Sequence, residues 1–223
     1  MIGVLSGLSG CDRAGEEPRA APAAAAMGAE RPTVVFLGTS LTAGYGLEPE
    51  EAYPALLQEK IDSAGLNYRV VNAGVSGETS AGARRRIDWL LREPVSVLVV
   101  ETGANDGLRG LPPDALRANI QAILDRAGKL SPAPRLVLLG MRIPPNYGQA
   151  YTRQFEAIYP ELAKANGAEL VPFLLQGVGG VGALNQPDGV HPTAPGQRRM
   201  AETVWRVLEP VLREVDKATR LSG

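Results

Sequence analysis

Thr33-Val34-Val35-Phe36-Leu37-Gly38-Thr39-Ser40 is the segment from which the architecture can be read. Its β-branched and apolar residues run without polar alternation and stop at a glycine. The run is too short for a helix, and a strand that is apolar on both sides must be covered on both sides. Such strands belong to parallel sheets flanked by helices. The pattern recurs outward along the chain. Apolar strand runs fall at 68–71, 95–100, 136–139 and 169–174. Apolar residues at helical spacing predict helices over 51–63, 79–91, 113–130, 151–166 and 195–215, the fourth closed by Gly167. Pro210 is expected to kink the last helix or end it early. Strands alternating with helices in this way predict a three-layer α/β/α sandwich around a five-stranded parallel sheet. Right-handed crossovers and the flavodoxin-like strand order 2-1-3-4-5 are the expected topology.

Composition narrows the chemistry. The 223 residues are 44% hydrophobic and 21% charged, which suits a globular domain and not a disordered chain. The net charge of −1 gives no bulk attraction for nucleic acid or an anionic membrane. One cysteine excludes an internal disulfide and multi-cysteine zinc sites, and one histidine excludes His-rich metal sites. No apolar run reaches the roughly 18 residues of a transmembrane helix. The chain must work with one imidazole, carboxylates, hydroxyls and backbone, and no cofactor or metal is implied.

In open α/β sheets, ligands bind outside the carboxyl ends of the strands. The residues just past those ends are therefore the candidates. After the first strand comes Gly38-Thr39-Ser40-Leu41-Thr42, a turn that can expose the Ser40 hydroxyl. Taken alone, Ser40 reads as well as an N-cap serine. It is not the GxSxG elbow, because Thr42 stands where that motif has glycine. After the second strand, Gly77 in a Gly-rich turn can offer an unobstructed backbone N–H. After the third, Asn105 can donate to a developing negative charge, or serve as a turn residue. After the fifth, Asp188 precedes His191 by three residues, so one turn can carry both. An aspartate can hold a histidine in one tautomer and stabilise its imidazolium. A nucleophile, oxyanion donors and an Asp–His pair at one sheet edge are the parts of acyl transfer to water.

These residues lie in ordered blocks: GTSLTAGYGL (38–47), NAGVSGETS (72–80), GANDGLRG (103–110) and DGVHP (188–192). The chain resembles the SGNH-hydrolase (GDSL-type) superfamily over residues 33–215. RIPPNYG (142–148) and FEAIYPELAK (155–164) resemble its bacterial arylesterase / acyl-CoA thioesterase / lysophospholipase group. The resemblance implies a hydrolase of carboxylic esters or thioesters working through an acyl-enzyme. It implies Ser40 as nucleophile, His191 as general base and Asp188 as its orienting acid. It implies an oxyanion hole of the Ser40 and Gly77 N–H groups and the Asn105 side chain. Thr39 stands where the family name has Asp, a departure expected to change support of the loop and not the chemistry. A carbohydrate O-acetyl esterase with the same residues is the rival activity, and a non-catalytic binding module the rival class. The intact Ser40, Asp188 and His191 set argues against the module.

Two further signals are weighed and set aside. Gly177-Val178-Gly179-Gly180-Val181-Gly182 fits GxGxxG but follows the last strand and opens no long helix, so a wall of an acyl pocket is the better reading. Arg84-Arg85-Arg86 reads as a solvated helix face.

Residues 1–32 read differently from residues 33–223, which carry the hydrolase pattern. A short apolar stretch leads to Leu8-Ser9-Gly10-Cys11, and an Ala/Pro-rich tether without periodicity follows. The run resembles the lipobox of bacterial lipoprotein signal peptides, although the positive n-region is missing. It implies lipid on Cys11, a membrane tether and an extracytoplasmic, periplasmic location; a start at Met27 would instead leave the protein in the cytoplasm. Cells grown with radiolabelled palmitate should carry label on the wild-type chain in the membrane fraction and none on Cys11→Ala. An unlabelled wild type in the cytosol would rule the anchor out.

Overall fold

The computed structural model describes Met1 and residues 31–222, and the lipobox-like run with Cys11 lies outside the described residues. The first strand, β1 (Thr33–Gly38), is buried from Val34 onward and lies inside the sheet. It pairs in parallel with β2 (Arg69–Gly74) on one side and β3 (Val97–Glu101) on the other. The sheet continues through β4 (Arg135–Leu139) to β5 (Glu169–Val171), giving the order β2-β1-β3-β4-β5 with every pairing parallel. This is the flavodoxin-like order expected from the sequence. Every residue of β3 is buried, as a strand covered on both faces requires. The edge strand β2 keeps Arg69 and Asn72 exposed, which blunts an otherwise open edge.

The helices divide into two groups. The helix α2 (Tyr53–Ser63) packs on α7 (Ala194–Ser222), and α3 (Ser80–Leu90), α5 (Pro113–Gly128) and α6 (Gln149–Asn166) pack in a row. Right-handed crossovers place the two groups on opposite faces of the sheet. Each group turns an apolar stripe inward: Leu57 and Ile61 of α2, Leu116, Ile120 and Ile123 of α5, and Met200, Val204 and Leu208 of α7 are buried.

Four details differ from the sequence reading. The strand β2 runs on to Gly74, because pairing with β1 carries through Phe36↔Asn72 to Gly38↔Gly74 despite residues of low strand propensity. The strand β5 stops at Val171, because Pro172 has no N–H for a ladder; Leu174 then donates to the Gly140 carbonyl at 2.9 Å. Two short helices, α1 (Ser40–Ala43) and α4 (Ala104–Leu108), sit directly after β1 and β3. Finally, α7 runs through Pro210 to Ser222. Pro210 lies on the exposed face, where water can satisfy the carbonyl it leaves free.

Where β1 and β2 end, the backbone comes unusually close to α1. A Cβ built on Gly74 would lie 2.3 Å from the Ala43 nitrogen and 2.9 Å from the Thr39 carbonyl oxygen. Both obstacles are backbone of the turn that carries Ser40, so neither can rotate away. Gly74→Ala should destabilise the fold by about 1–3 kcal/mol, or roughly 2–10 °C in Tm for a domain of this size. A thermal melt at the wild-type midpoint would show that the turn yields freely.

Candidate active site

Strand ends β1, β2 and β3 and the loop before α7 converge on one edge of the sheet. Ser40 is the first residue of α1 and is 9% exposed. Its Oγ lies 3.0 Å from Nε2 of His191. The other ring nitrogen, Nδ1, lies 2.6 Å from Oδ2 of Asp188. Oδ1 of Asp188 accepts the backbone N–H groups of Val190 at 2.9 Å and His191 at 3.0 Å. The Asp188 carboxyl thus closes a local turn and grips the ring of the same histidine. Chiefly the His191 backbone N–H, then its ring and the Val190 N–H, hold that carboxyl down at about 2. Its contribution to stability is present above the ordinary value of 3.8 and is lost only as pH falls toward about 2.

The loop around His191 is braced by residues that the sequence reading did not single out. The Gln186 N–H donates to the His191 carbonyl at 2.7 Å. Its side-chain amide donates to the Tyr45 carbonyl at 2.7 Å and the Pro192 carbonyl at 3.0 Å. The Tyr45 ring lies against the imidazole, with centroids 4.6 Å apart. Buried Asn185 donates to the carbonyls of Val178 and Val181 and ties the Gly-rich stretch beneath. None of these residues has a signal in sequence alone, since each works through a partner set by the fold.

The candidate oxyanion donors come from the ends of β2 and β3. Gly77 has a φ of +76°, which favours glycine, and its backbone is exposed. Asn105 donates through Nδ2 to the Glu78 carbonyl at 3.0 Å, so the two loops are joined. Its amide has a second N–H to offer. Asn105, Ser40 and His191 line one cavity of about 510 Å³, with Met141, Ile143 and Phe173 among its apolar walls. Gly179 and Gly180 also line it. Asp106, the other carboxylate beside the site, does not address His191. It accepts the Ser80 N–H at 2.8 Å and the Ser80 hydroxyl at 2.5 Å, holding the start of α3.

One part of the sequence reading is corrected. Arg84 and Arg85 are exposed, but Arg86 is not a solvated side chain. Its guanidinium bonds both Glu78 oxygens, at 2.9 and 2.8 Å through Nε, and the Gly38 carbonyl at 3.1 Å. Helical periodicity turns the third arginine of the run back toward β1.

Beneath Ser40 lies Glu101, 1% exposed at the end of β3. Oε2 accepts the Thr39 N–H at 2.7 Å and the Thr42 hydroxyl at 2.8 Å, and the Thr39 hydroxyl lies 3.0 Å from both oxygens. The Thr39 side chain therefore points into the protein, and an aspartate there would meet a second carboxyl.

A doubly wound sheet of this order, with this cavity at its carboxyl edge, defines a flavodoxin-like hydrolase of the SGNH type. The GDSL-like lipase/acylhydrolase family matches residues 36–199. Esterase TesA of Pseudomonas aeruginosa is 42% identical over 181 residues, 81% of this chain and 89% of its own. The thioesterase 1/protease 1/lysophospholipase L1 of Escherichia coli is 38% identical over 182 residues, 81% of this chain and 85% of its own. Among solved structures, that of TesA aligns with a TM-score of 0.77 at 41% identity, covering 80% of this chain and 99% of its own. The psychrotrophic esterase EstA from Pseudoalteromonas sp., inhibited by monoethylphosphonate, aligns with a TM-score of 0.75 at 34% identity, covering 81% and 98%. The chain belongs to the GDSL-like lipase/acylhydrolase family and is an SGNH-type ester or thioester hydrolase.

Burial raises the Glu101 carboxyl above its ordinary 4.5, opposed by the hydrogen bonds from Thr39 and Thr42. An acid raised in the folded state stabilises most below its unfolded value and progressively less as pH rises through the folded one. Glutamine is the isostere of the protonated form, with an amide N–H able to donate to the Thr39 hydroxyl. The stability difference between wild type and Glu101→Gln, followed by urea unfolding, should therefore shift in favour of the variant as pH rises above 4.5. A difference that does not change from pH 4 to pH 8 would show that burial does not tax this carboxylate.

Proposed function

We propose that Ser40 is the nucleophile of this hydrolase and that its substrates carry an apolar acyl group on an ester or thioester. The observation that carries this reading is the Asp188–His191–Ser40 chain, with contacts of 2.6 and 3.0 Å, opening on the apolar cavity. His191 Nε2 takes the Ser40 proton as Oγ attacks the acyl carbonyl carbon. Asp188 accepts the Nδ1–H, which keeps the tautomer with Nε2 free and stabilises the imidazolium. The tetrahedral oxyanion is held by the Ser40 and Gly77 N–H groups and the Asn105 amide. Collapse breaks the bond to the leaving alcohol or thiol, which receives the proton from His191. Water then repeats the sequence on the acyl-enzyme and releases the acid.

The cavity walls argue for an acyl chain over a sugar. Leu41, Leu108, Met141, Ile143, Phe173 and Leu175 offer area for methylenes and few groups for a carbohydrate's hydroxyls. The names of the relatives point the same way: esterase, thioesterase and lysophospholipase, and arylesterase for a protein of Vibrio mimicus that is 37% identical over 176 residues. The proposal extends to where the enzyme works. The lipobox-like run and the tether support lipid on Cys11 and a location outside the cytoplasm, with residues 33–223 as the tethered domain.

A series of p-nitrophenyl esters and acyl-CoA thioesters of rising chain length tests this reading. Turnover should rise with acyl length until the cavity is filled. Ser40→Ala should lose about 10⁴–10⁶ in kcat while unfolding at the wild-type temperature. Fluorophosphonate labelling of a serine other than Ser40, with Ser40→Ala still active, would overturn the assignment.

A further inference from the structure

The Asp188–His191–Ser40 contacts do not reach Gly77 or Asn105; a second set of bonds holds the loops that carry those two. The central group is the Gly38 carbonyl, at the end of β1 and two residues before Ser40. It accepts the Val75 N–H at 2.9 Å and the Arg86 guanidinium at 3.1 Å. The same guanidinium clasps the Glu78 carboxylate, and the Glu78 carbonyl accepts the Asn105 amide. One cation therefore links the strand end before Ser40 to Glu78, which follows Gly77 and also holds Asn105. Neither charge is at the surface in the usual sense: the two side chains are 19% and 10% exposed. Backbone on α3 is cleared for them, since a Cβ on Gly82 would lie 2.6 Å from Cγ of Glu78.

We propose that Arg86 and Glu78 form a positioning clamp for the oxyanion hole. The inference rests on the reading above, in which the Ser40 and Gly77 N–H groups and the Asn105 amide stabilise the tetrahedral charge. Arg86 touches none of the reacting atoms. It acts by fixing, with three bonds, the end of β1 and the Glu78 side chain, and through the Glu78 carbonyl the loop that carries Asn105. A guanidinium fork suits this task because it can serve a carboxylate with two N–H groups and a carbonyl with a third. A lysine can serve one partner well but not both. Because the hole is worth its energy only when the donors are already in place, slack of about 1 Å in these loops should cost on the order of 10²-fold in rate.

The test compares Arg86→Met, Glu78→Gln, their double variant and Gly82→Ala, with Ser40→Ala as the control. In folded Arg86→Met and Glu78→Gln, kcat on a p-nitrophenyl ester should fall about 10- to 100-fold with KM within about threefold. Phosphonylation of Ser40 by a fluorophosphonate should slow in parallel, because the phosphoryl oxygen uses the same donors. The acid limb of the pH–rate profile should stay in place, since His191 and Asp188 are untouched. The double variant should be no slower than Arg86→Met within about threefold, as expected of two residues acting as one unit. Gly82→Ala, which removes no charge but displaces Glu78, should show the same loss in kcat. Arg86→Lys should recover part of it. Where Arg86→Met fails to fold, Glu78→Gln decides, because it preserves size while removing the charge and one of the two acceptor oxygens that Arg86 uses. Wild-type kcat in folded Glu78→Gln, or a double variant slowed by the product of the single effects, would overturn the clamp. If Ser40→Ala is inactive while the clamp variants turn over normally, the clamp alone fails; if Ser40→Ala is active, the reading beneath it fails.

Discussion

The carboxylate of Glu101 under the first turn is the contact on which this edge of the molecule depends. Strand β3 brings it to the end of β1 at 1% exposure, and a buried acceptor must be matched by donors. The donors it finds are the N–H and hydroxyl of Thr39 and the hydroxyl of Thr42, all on the turn that carries Ser40. Tyr53 extends the network, its hydroxyl 2.8 Å from that of Thr42. The Gln197 amide donates to the Leu41 carbonyl at 3.2 Å, while its oxygen accepts the Tyr53 N–H at 2.9 Å. The four residues of α1 form a helix too short to be stable alone, and they hold their shape because every side of the turn is bonded into the core.

Two arrangements of charge divide the site. Glu101 is deep, bonded from several directions, and pushed up by burial. Asp188 is accessible to solvent and pulled down by N–H groups of its own turn. The first serves placement, and its value lies in donors aligned around it. The second grips the imidazole, accepting at its ring nitrogen at 2.6 Å while its other oxygen closes the turn. Keeping Asp188 out of the core avoids a desolvation cost that would raise its pKa and loosen its hold on the imidazole. The local turn supplies orientation where burial does not.

How much of this was legible in the sequence depends on the range of each interaction. The strands β1 and β3 were legible because runs such as 33–37 and 95–100 fit only a strand buried on both sides. The parallel sheet followed from them, and the strand order was found as expected. Ser40, Gly77, Asn105, Asp188 and His191 could be singled out because the topology sends every strand end to one edge. Asp188 and His191 were the most direct, their geometry being set within one turn. Arg86, Glu101, Asn185 and Gln186 were not legible. Each is an ordinary polar residue in sequence, and its meaning arises from a partner brought close by the fold, as Glu101 and Thr39 are across 62 positions. The ends of elements failed for a related reason: β2 is lengthened by its neighbour, and α7 survives Pro210 because that face meets water.

The division of labour explains why a departure at Thr39 is compatible with an intact site. What Glu101 requires from position 39 is a backbone N–H and a side chain able to meet its oxygens. The N–H belongs to any residue but proline, and the hydroxyl supplies the rest without a second charge. An aspartate at this position would bring two carboxyl groups to hydrogen-bonding distance in a buried place, where they could not both ionise and would share a proton. Threonine removes that titration. The turn then depends on one buried carboxyl instead of a coupled pair, and the geometry of Ser40 is set by the bonds of Thr39, Thr42 and Tyr53 around it. The Asp188–His191 pair meets the Ser40 hydroxyl through other atoms, so the groups that hold the turn and the groups that address its serine are separate.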